Sequence, residues 1–124
     1  MPGFIYLASP YSHPDPAVRD MRYMRVRDIA ARLILERDQP VYSPIAHCHD
    51  MCAAAKAPFT YEAWREQDEA MIRPAEEVWV AMLPGWRESA GIEEEVGFAE
   101  AARIPVRFMD PDTLEIFNSP PLAA

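Results

Sequence analysis

Thirteen prolines divide this 124-residue chain into short apolar runs and longer amphipathic stretches, and that punctuation constrains the fold more than any other feature. Phe4-Ile5-Tyr6-Leu7-Ala8 is apolar and ends at Ser9-Pro10, as a buried first strand would. Asp15-Pro16 has the form of a helix N-cap with proline at the first helical position. Over residues 17–36 there is no Gly or Pro, and Val26, Ile29, Ala30 and Leu33 recur at helical spacing. One long helix is predicted there, stopped by Pro40, with Val41-Tyr42-Ser43 as a second short strand. Residues 45–59 are expected to form a loop with a single helical turn. Thr60 can cap a helix running to about Arg73 before Pro74, and residues 78–83 read as a central strand bounded by Pro84-Gly85. Ser89-Ala90-Gly91 leads into a helix to about Ala102, and residues 105–108 form a further strand. A short element is expected around residues 114–117.

This order predicts an α/β fold: a single-domain open parallel sheet, flavodoxin- or Rossmann-like, with helices on both faces. It would span residues 1–117 and leave 118–124 as a loose tail. Ligands of such sheets sit outside the carboxyl ends of the strands. That places residues 9–13, 43–49 and 84–91 around one crevice. No Gly-x-Gly-x-x-Gly or Walker loop is present to cradle a dinucleotide or triphosphate.

Composition narrows the partners. Half the residues are hydrophobic and 26% are charged, as in an ordinary globular protein. No apolar run approaches the roughly 20 residues of a membrane span, and Met1-Pro2-Gly3-Phe4 lacks a basic leader, so no membrane partner or secretory signal is expected. Cys48 and Cys52 cannot make a disulfide framework, which favours a cytoplasmic chain with reduced thiols. The net charge of −8 lies wholly in residues 51–124 and disfavours polymeric nucleic acid as a partner.

Two acids fall on apolar helix faces. Counting about 100° per residue, Ile92, Val96, Ala99 and Ala102 form one stripe with Glu95 inside it, whereas Glu93, Glu94 and Glu100 fall outside. Glu95 is expected in the first turn of its helix, where the macrodipole favours the ionised form. In residues 61–73, Tyr61, Trp64 and Met71 share a stripe with Asp68, while Glu62, Glu66 and Glu69 do not. A buried acid without a partner is costly, so each acid either pairs structurally or does chemistry. Two carboxylates in one crevice suit glycosyl transfer: one attacks the anomeric carbon and the other manages the leaving group's proton.

The two acids belong to a set of five sequence elements. They are Tyr6-Leu7-Ala8-Ser9-Pro10-Tyr11, Arg22, Tyr42-Ser43-Pro44-Ile45, Asp68, and Ser89-x-Gly91-x-x-x-Glu95-x-Gly97-x-Ala99. In this order the chain resembles the nucleoside 2-deoxyribosyltransferase-like superfamily, which includes deoxyribosyltransferases and nucleoside 5′-monophosphate N-glycosidases. The resemblance implies that Glu95 is a nucleophile forming a glycosyl-enzyme intermediate, that Tyr6 orients it, and that Asp68 transfers a proton or holds the sugar. It also implies a substrate-binding set. Ser89 stands where deoxyribosyltransferases usually carry Asp, as in the monophosphate N-glycosidases, and a neutral hydroxyl beside helix N–H groups accepts a phosphate. Ser9, Ser12, Arg22 and Arg87 could add donors, Ser43 and His47 flank the crevice, and Gly91 permits close approach to the sugar.

The expected activity is therefore cleavage of the base–sugar bond of a nucleoside 5′-monophosphate, with base exchange or a non-catalytic nucleotide sensor as alternatives. The partner would be a small nucleoside or nucleotide, no cofactor is implied, and the resemblance implies a homo-oligomer (dimer or tetramer). Phe59, Tyr61 and Trp64 could supply apolar contacts in it, or ordinary core. The cluster His47-Cys48-His49-Asp50-Met51-Cys52 lacks the paired spacing of zinc sites, so no metal is expected. A Ser/His nucleophile pair lacks the Gly-x-Ser-x-Gly turn.

Overall fold

The computed structural model describes residues 3–56 and 60–121. It contains a five-stranded sheet of β1 (Ile5–Ala8), β2 (Val41–Tyr42), β3 (Glu77–Ala81), β4 (Val106–Met109) and β5 (Ile116–Phe117). Four helices, α1 (Pro16–Glu36), α2 (Pro44–Ala55), α3 (Tyr61–Ile72) and α4 (Ala90–Ala101), connect them. The strand order is β2-β1-β3-β4-β5. The first four strands are parallel, and β5 returns antiparallel to β4. This is the flavodoxin-like arrangement expected from the strand–helix alternation. No helix among the described residues is long and apolar enough to cross a membrane.

Strand alternation sends successive side chains to opposite faces, so each strand feeds two cores. Leu7, Ala81 and Met109 pack with Val26, Ile29, Ala30 and Leu33 of α1 on one face. Tyr6, Ala8, Val78 and Val80 pack with Ile72 of α3 and Ile92 and Ala99 of α4 on the other. Helix α1 starts as its sequence dictates: the Asp15 carboxylate accepts from the Ala17 N–H at 2.9 Å, ahead of Pro16.

Residues 44–55 correct the expected loop, because they form the helix α2. The cause is the same device: the Ser43 hydroxyl accepts from the Ala46 N–H at 3.1 Å, and Pro44 occupies the first helical position. Cys48 and Cys52, four residues apart, bury one face, and Lys56 ends the helix in a left-handed conformation at φ 54°. Phe59, expected to offer apolar contact, lies outside the described residues, as do residues 122–124 of the expected tail.

The central strand is shorter than its apolar run. It ends at Ala81 because its partner ends at Met109, and Leu83 then turns back to bond the Ala81 carbonyl at 2.8 Å. Leu83 stays buried in the α1-side core. Glu95 also departs from expectation: α4 begins at Ala90, so Glu95 is its sixth residue and lies in the second turn.

Candidate active site

From β1 the chain crosses to β2 on one side, and from β3 to β4 on the other. The two connections diverge above the carboxyl ends of β1 and β3, which leaves a crevice there. A cavity of about 480 Å³ occupies this place, the size of a small-molecule site. Its walls come from the loop after β1 (Ser9, Tyr11, Ser12), the start of α2 (Pro44, Ile45), α3 (Tyr61, Trp64, Asp68) and the start of α4 (Ser89, Gly91, Glu95).

Both inward-facing acids are buried, Asp68 at 7% exposure and Glu95 at 4%. Side chains on a helix lean towards its N-terminus, so Glu95 is carried from the second turn of α4 back towards the crevice. The fully buried Tyr6 of β1 donates its hydroxyl hydrogen bond to Glu95 Oε2. Burial pushes the Glu95 carboxyl up to about 8; the Tyr6 bond opposes that rise and the charge of Asp68 adds to it. Burial alone pushes Asp68 up to about 7. The Tyr6 phenol is raised well above its usual range by burial, then by Glu95 and Asp68. The two carboxyls therefore hold protons into the neutral range, and their titration is coupled. Such a pair can present one acid and one carboxylate together, which acid–base chemistry at a single bond requires.

The chain matches the model of the family described as a domain of unknown function (DUF1937) over residues 3–111. It belongs to the DUF1937 family. No curated protein matches it.

In this DUF1937 chain, four of the other residues expected at the crevice line the cavity: Ser9, Ser12, Ser89 and Gly91. Ser89 caps α4, its hydroxyl oxygen accepting from the Ile92 N–H at 3.2 Å, which leaves its own proton to donate. Arg22, Ser43 and His47 do not line the cavity. Arg22 donates to the Ser12 carbonyl at 3.0 Å and to that of Tyr11 at 3.4 Å. It also lies against Gly85, where φ is +93° and a Cβ would come within 2.4 Å of Nη2. Arg22 thus ties the loop after β1 to the turn after β3. Ser43 is spent on capping α2. His47 is exposed, with its ring 5.6 Å from that of Tyr42. Arg87 stacks over Trp86 at 4.4 Å and donates to the Pro121 carbonyl at 3.1 Å.

Arg65 escaped the sequence reading, as did the contacts that join Tyr11 to His49. Arg65 is the one cation among the described lining residues; it lies over the Tyr61 ring at 5.7 Å and 4.0 Å from Glu94. The Tyr11 hydroxyl and His49 Nδ1 are 2.5 Å apart, His49 stacks on Tyr23 at 4.1 Å, and its Nε2 lies 3.4 Å from Asp20. That cluster holds the loop after β1 against α1 and α2. Only the helical register of α2 reveals it, because His47 and His49 then point to different sides. Among the described residues no group of three or more His, Cys, Asp or Glu is arranged to hold a metal. Burial pushes the Cys48 thiol up to about 12, so this cavity-lining cysteine is not a thiolate at neutral pH. Two hydroxyls on cavity-lining residues, Ser9 Oγ and Tyr61 Oη, are buried without a hydrogen-bond partner among the described residues.

Proposed function

We propose that this chain is an N-glycosidase that cleaves the base–sugar bond of a nucleoside 5′-monophosphate. The observation that carries the reading is the pair of buried carboxyls, Glu95 and Asp68, in one cavity, with Tyr6 donating to Glu95. The resemblance to the nucleoside 2-deoxyribosyltransferase-like superfamily supports the same roles.

Burial holds the Glu95 carboxyl higher than that of Asp68, so the reacting form is the minority arrangement with the pair's one proton on Asp68. In the first step a Glu95 carboxylate oxygen of that form attacks C1′. The C1′–N bond breaks, its electron pair goes to the base, and the Asp68 carboxyl supplies the proton the base leaves with. Tyr6 holds Glu95 in place and stabilises its ionised form. In the second step Asp68, now ionised, takes a proton from water as the water oxygen attacks C1′ and releases Glu95. Free base and the sugar phosphate are the products. The Ser89 hydroxyl and the first N–H groups of α4 receive the 5′-phosphate. Replacing water by a second base would make the same chemistry an exchange reaction. A homo-oligomer in the cytoplasm is part of the proposal.

The test incubates the protein with a panel of nucleosides and their 5′-monophosphates, with and without an acceptor base, and follows free base by chromatography. Release from a monophosphate, lost in Glu95→Gln, supports the proposal. Release only with an acceptor base moves the assignment to exchange. Thermal stabilisation by a nucleotide that is never consumed replaces the enzyme by a sensor.

A further inference from the structure

A phosphate entering this cavity needs a cation, because the exposed Glu62, Glu88 and Glu94 line the same space. Two arginines that the sequence offers for that task are turned elsewhere. Arg22 donates to the carbonyls of Tyr11 and Ser12, while Arg87 lies over Trp86 and donates to the Pro121 carbonyl. Among the described residues that line the cavity, Arg65 is the one cation left.

Its helix fixes its place. Arg65 lies one turn after Tyr61 on α3, and a helical side chain leans towards the N-terminus of its own helix. The guanidinium accordingly sits over the Tyr61 ring, 5.7 Å from its centre. Tyr61 in turn packs on the first turn of α4: a Cβ at Gly91 would lie 3.8 Å from the Tyr61 Cβ and 3.8 Å from Ser89 Oγ. Glu94, three residues after Gly91 and on the same side of α4, comes within 4.0 Å of Arg65 Nη2. Arg65 therefore stands beside the opening turns of α4, the helix that Ser89 caps.

The pairing with Glu94 is loose. Its length exceeds hydrogen-bond distance, and the two side chains are 49% and 57% exposed. An exposed pair of this kind contributes little, so giving it up for a better anion costs little. A phosphate accepts two parallel guanidinium N–H bonds at once, a stronger and more directional contact. We propose that Arg65 is the residue that selects for the 5′-phosphate: in the free protein it pairs loosely with Glu94, and on binding it exchanges Glu94 for the phosphate. The inference rests on the glycosidase reading, which puts C1′ at Glu95 and the phosphate at the start of α4, and it supplies the cation that reading lacks. Glu94 is then both a competitor for Arg65 and a repulsive charge towards the phosphate. The two residues act in opposite directions on the same choice of substrate.

The experiment measures kcat/KM for each common nucleoside and for its 5′-monophosphate, with base and sugar the same within a pair. In Arg65→Gln the ratio of monophosphate to nucleoside is expected to fall about tenfold, through a raised KM for the monophosphate. In Glu94→Gln the same ratio is expected to rise about threefold. Both side chains are exposed, so both variants should keep the wild-type melting temperature. Base release with a ratio that falls less than threefold in Arg65→Gln overturns the inference and leaves cleavage at Glu95 standing. A ratio that fails to rise in Glu94→Gln overturns the exchange, because Glu94 would then support Arg65 rather than compete for it. Were no base released, thermal shift with the same pairs decides. Greater stabilisation by the monophosphate, reduced in Arg65→Gln, supports the phosphate site although the reaction is wrong. Shifts that are absent, or the same in wild type and Arg65→Gln, overturn both.

Discussion

The two faces of this sheet are made by the same four parallel strands, yet they are built for different ends. On the α1 face Leu7, Val26, Ile29, Leu33 and Met109 close an apolar core with no buried charge among the described residues. On the α3/α4 face Tyr6, Ile72, Val78, Val80 and Ala99 form an equally buried core, but towards the carboxyl ends of the strands it gives way to Asp68 and Glu95. One face is optimised for packing. The other holds two desolvated acids, an arrangement that marks a candidate functional site. Stability and activity should therefore separate by face.

The largest expected effect is on activity. Glu95→Gln is nearly isosteric and keeps an acceptor for Tyr6, so it should reduce base release by about 10³-fold or more while the far-UV circular dichroism stays unchanged. On the opposite face, Leu33→Ala should cost about 3 kcal/mol in urea unfolding, with kcat per folded molecule preserved. If Leu33→Ala instead lowered kcat with stability unchanged, the division between faces would fail.

Tyr6→Phe sharpens the comparison from within the polar face. The lost hydroxyl was holding the Glu95 carboxyl down against burial, so its removal raises that carboxyl further. The acid limb of the pH–rate profile should move to higher pH, with a loss of about tenfold in rate at pH 7. An unmoved profile would show that Tyr6 does not act on Glu95.

A weaker signal comes from the pH dependence of stability. Asp68 and Glu95 bind protons more tightly folded than unfolded, so between their ordinary range near 4 and about 7–8 the native state holds more protons. Stability from this source is present at low pH and declines as pH rises through that window. Asp68→Asn should remove part of the decline, leaving the variant more stable than wild type at pH 9 by on the order of 2 kcal/mol. The smallest effect concerns α2 alone: Ser43→Ala removes its cap and should cost about 1 kcal/mol without altering catalysis directly.

Much of this was legible from local pattern. The strand runs, the Asp15-Pro16 cap, the helical spacing in α1 and the inward phase of Asp68 and Glu95 depend on neighbours a few residues away. Helix α2 escapes the sequence reading because Ser43-Pro44 signals both the end of a strand and the start of a helix. With that helix unread, His49 could not be joined to Tyr11, Tyr23 and Asp20. Arg22 was expected to be a phosphate donor, yet its guanidinium packs on Gly85 and on two backbone carbonyls, contacts set by tertiary folding. The unpaired state of Ser9 and Tyr61 was likewise invisible, because satisfaction of a hydroxyl is a property of the finished fold.

The central claim is that Glu95 becomes covalently bonded to the sugar. The measurement that reaches it directly is intact-protein mass spectrometry after rapid acid quench during turnover of a nucleoside 5′-monophosphate, followed by peptide mapping. The account predicts a transient mass increase equal to the sugar phosphate, located on Glu95 and absent in Glu95→Gln. Steady base release with no adduct at any quench time, retained in Glu95→Gln, would contradict it.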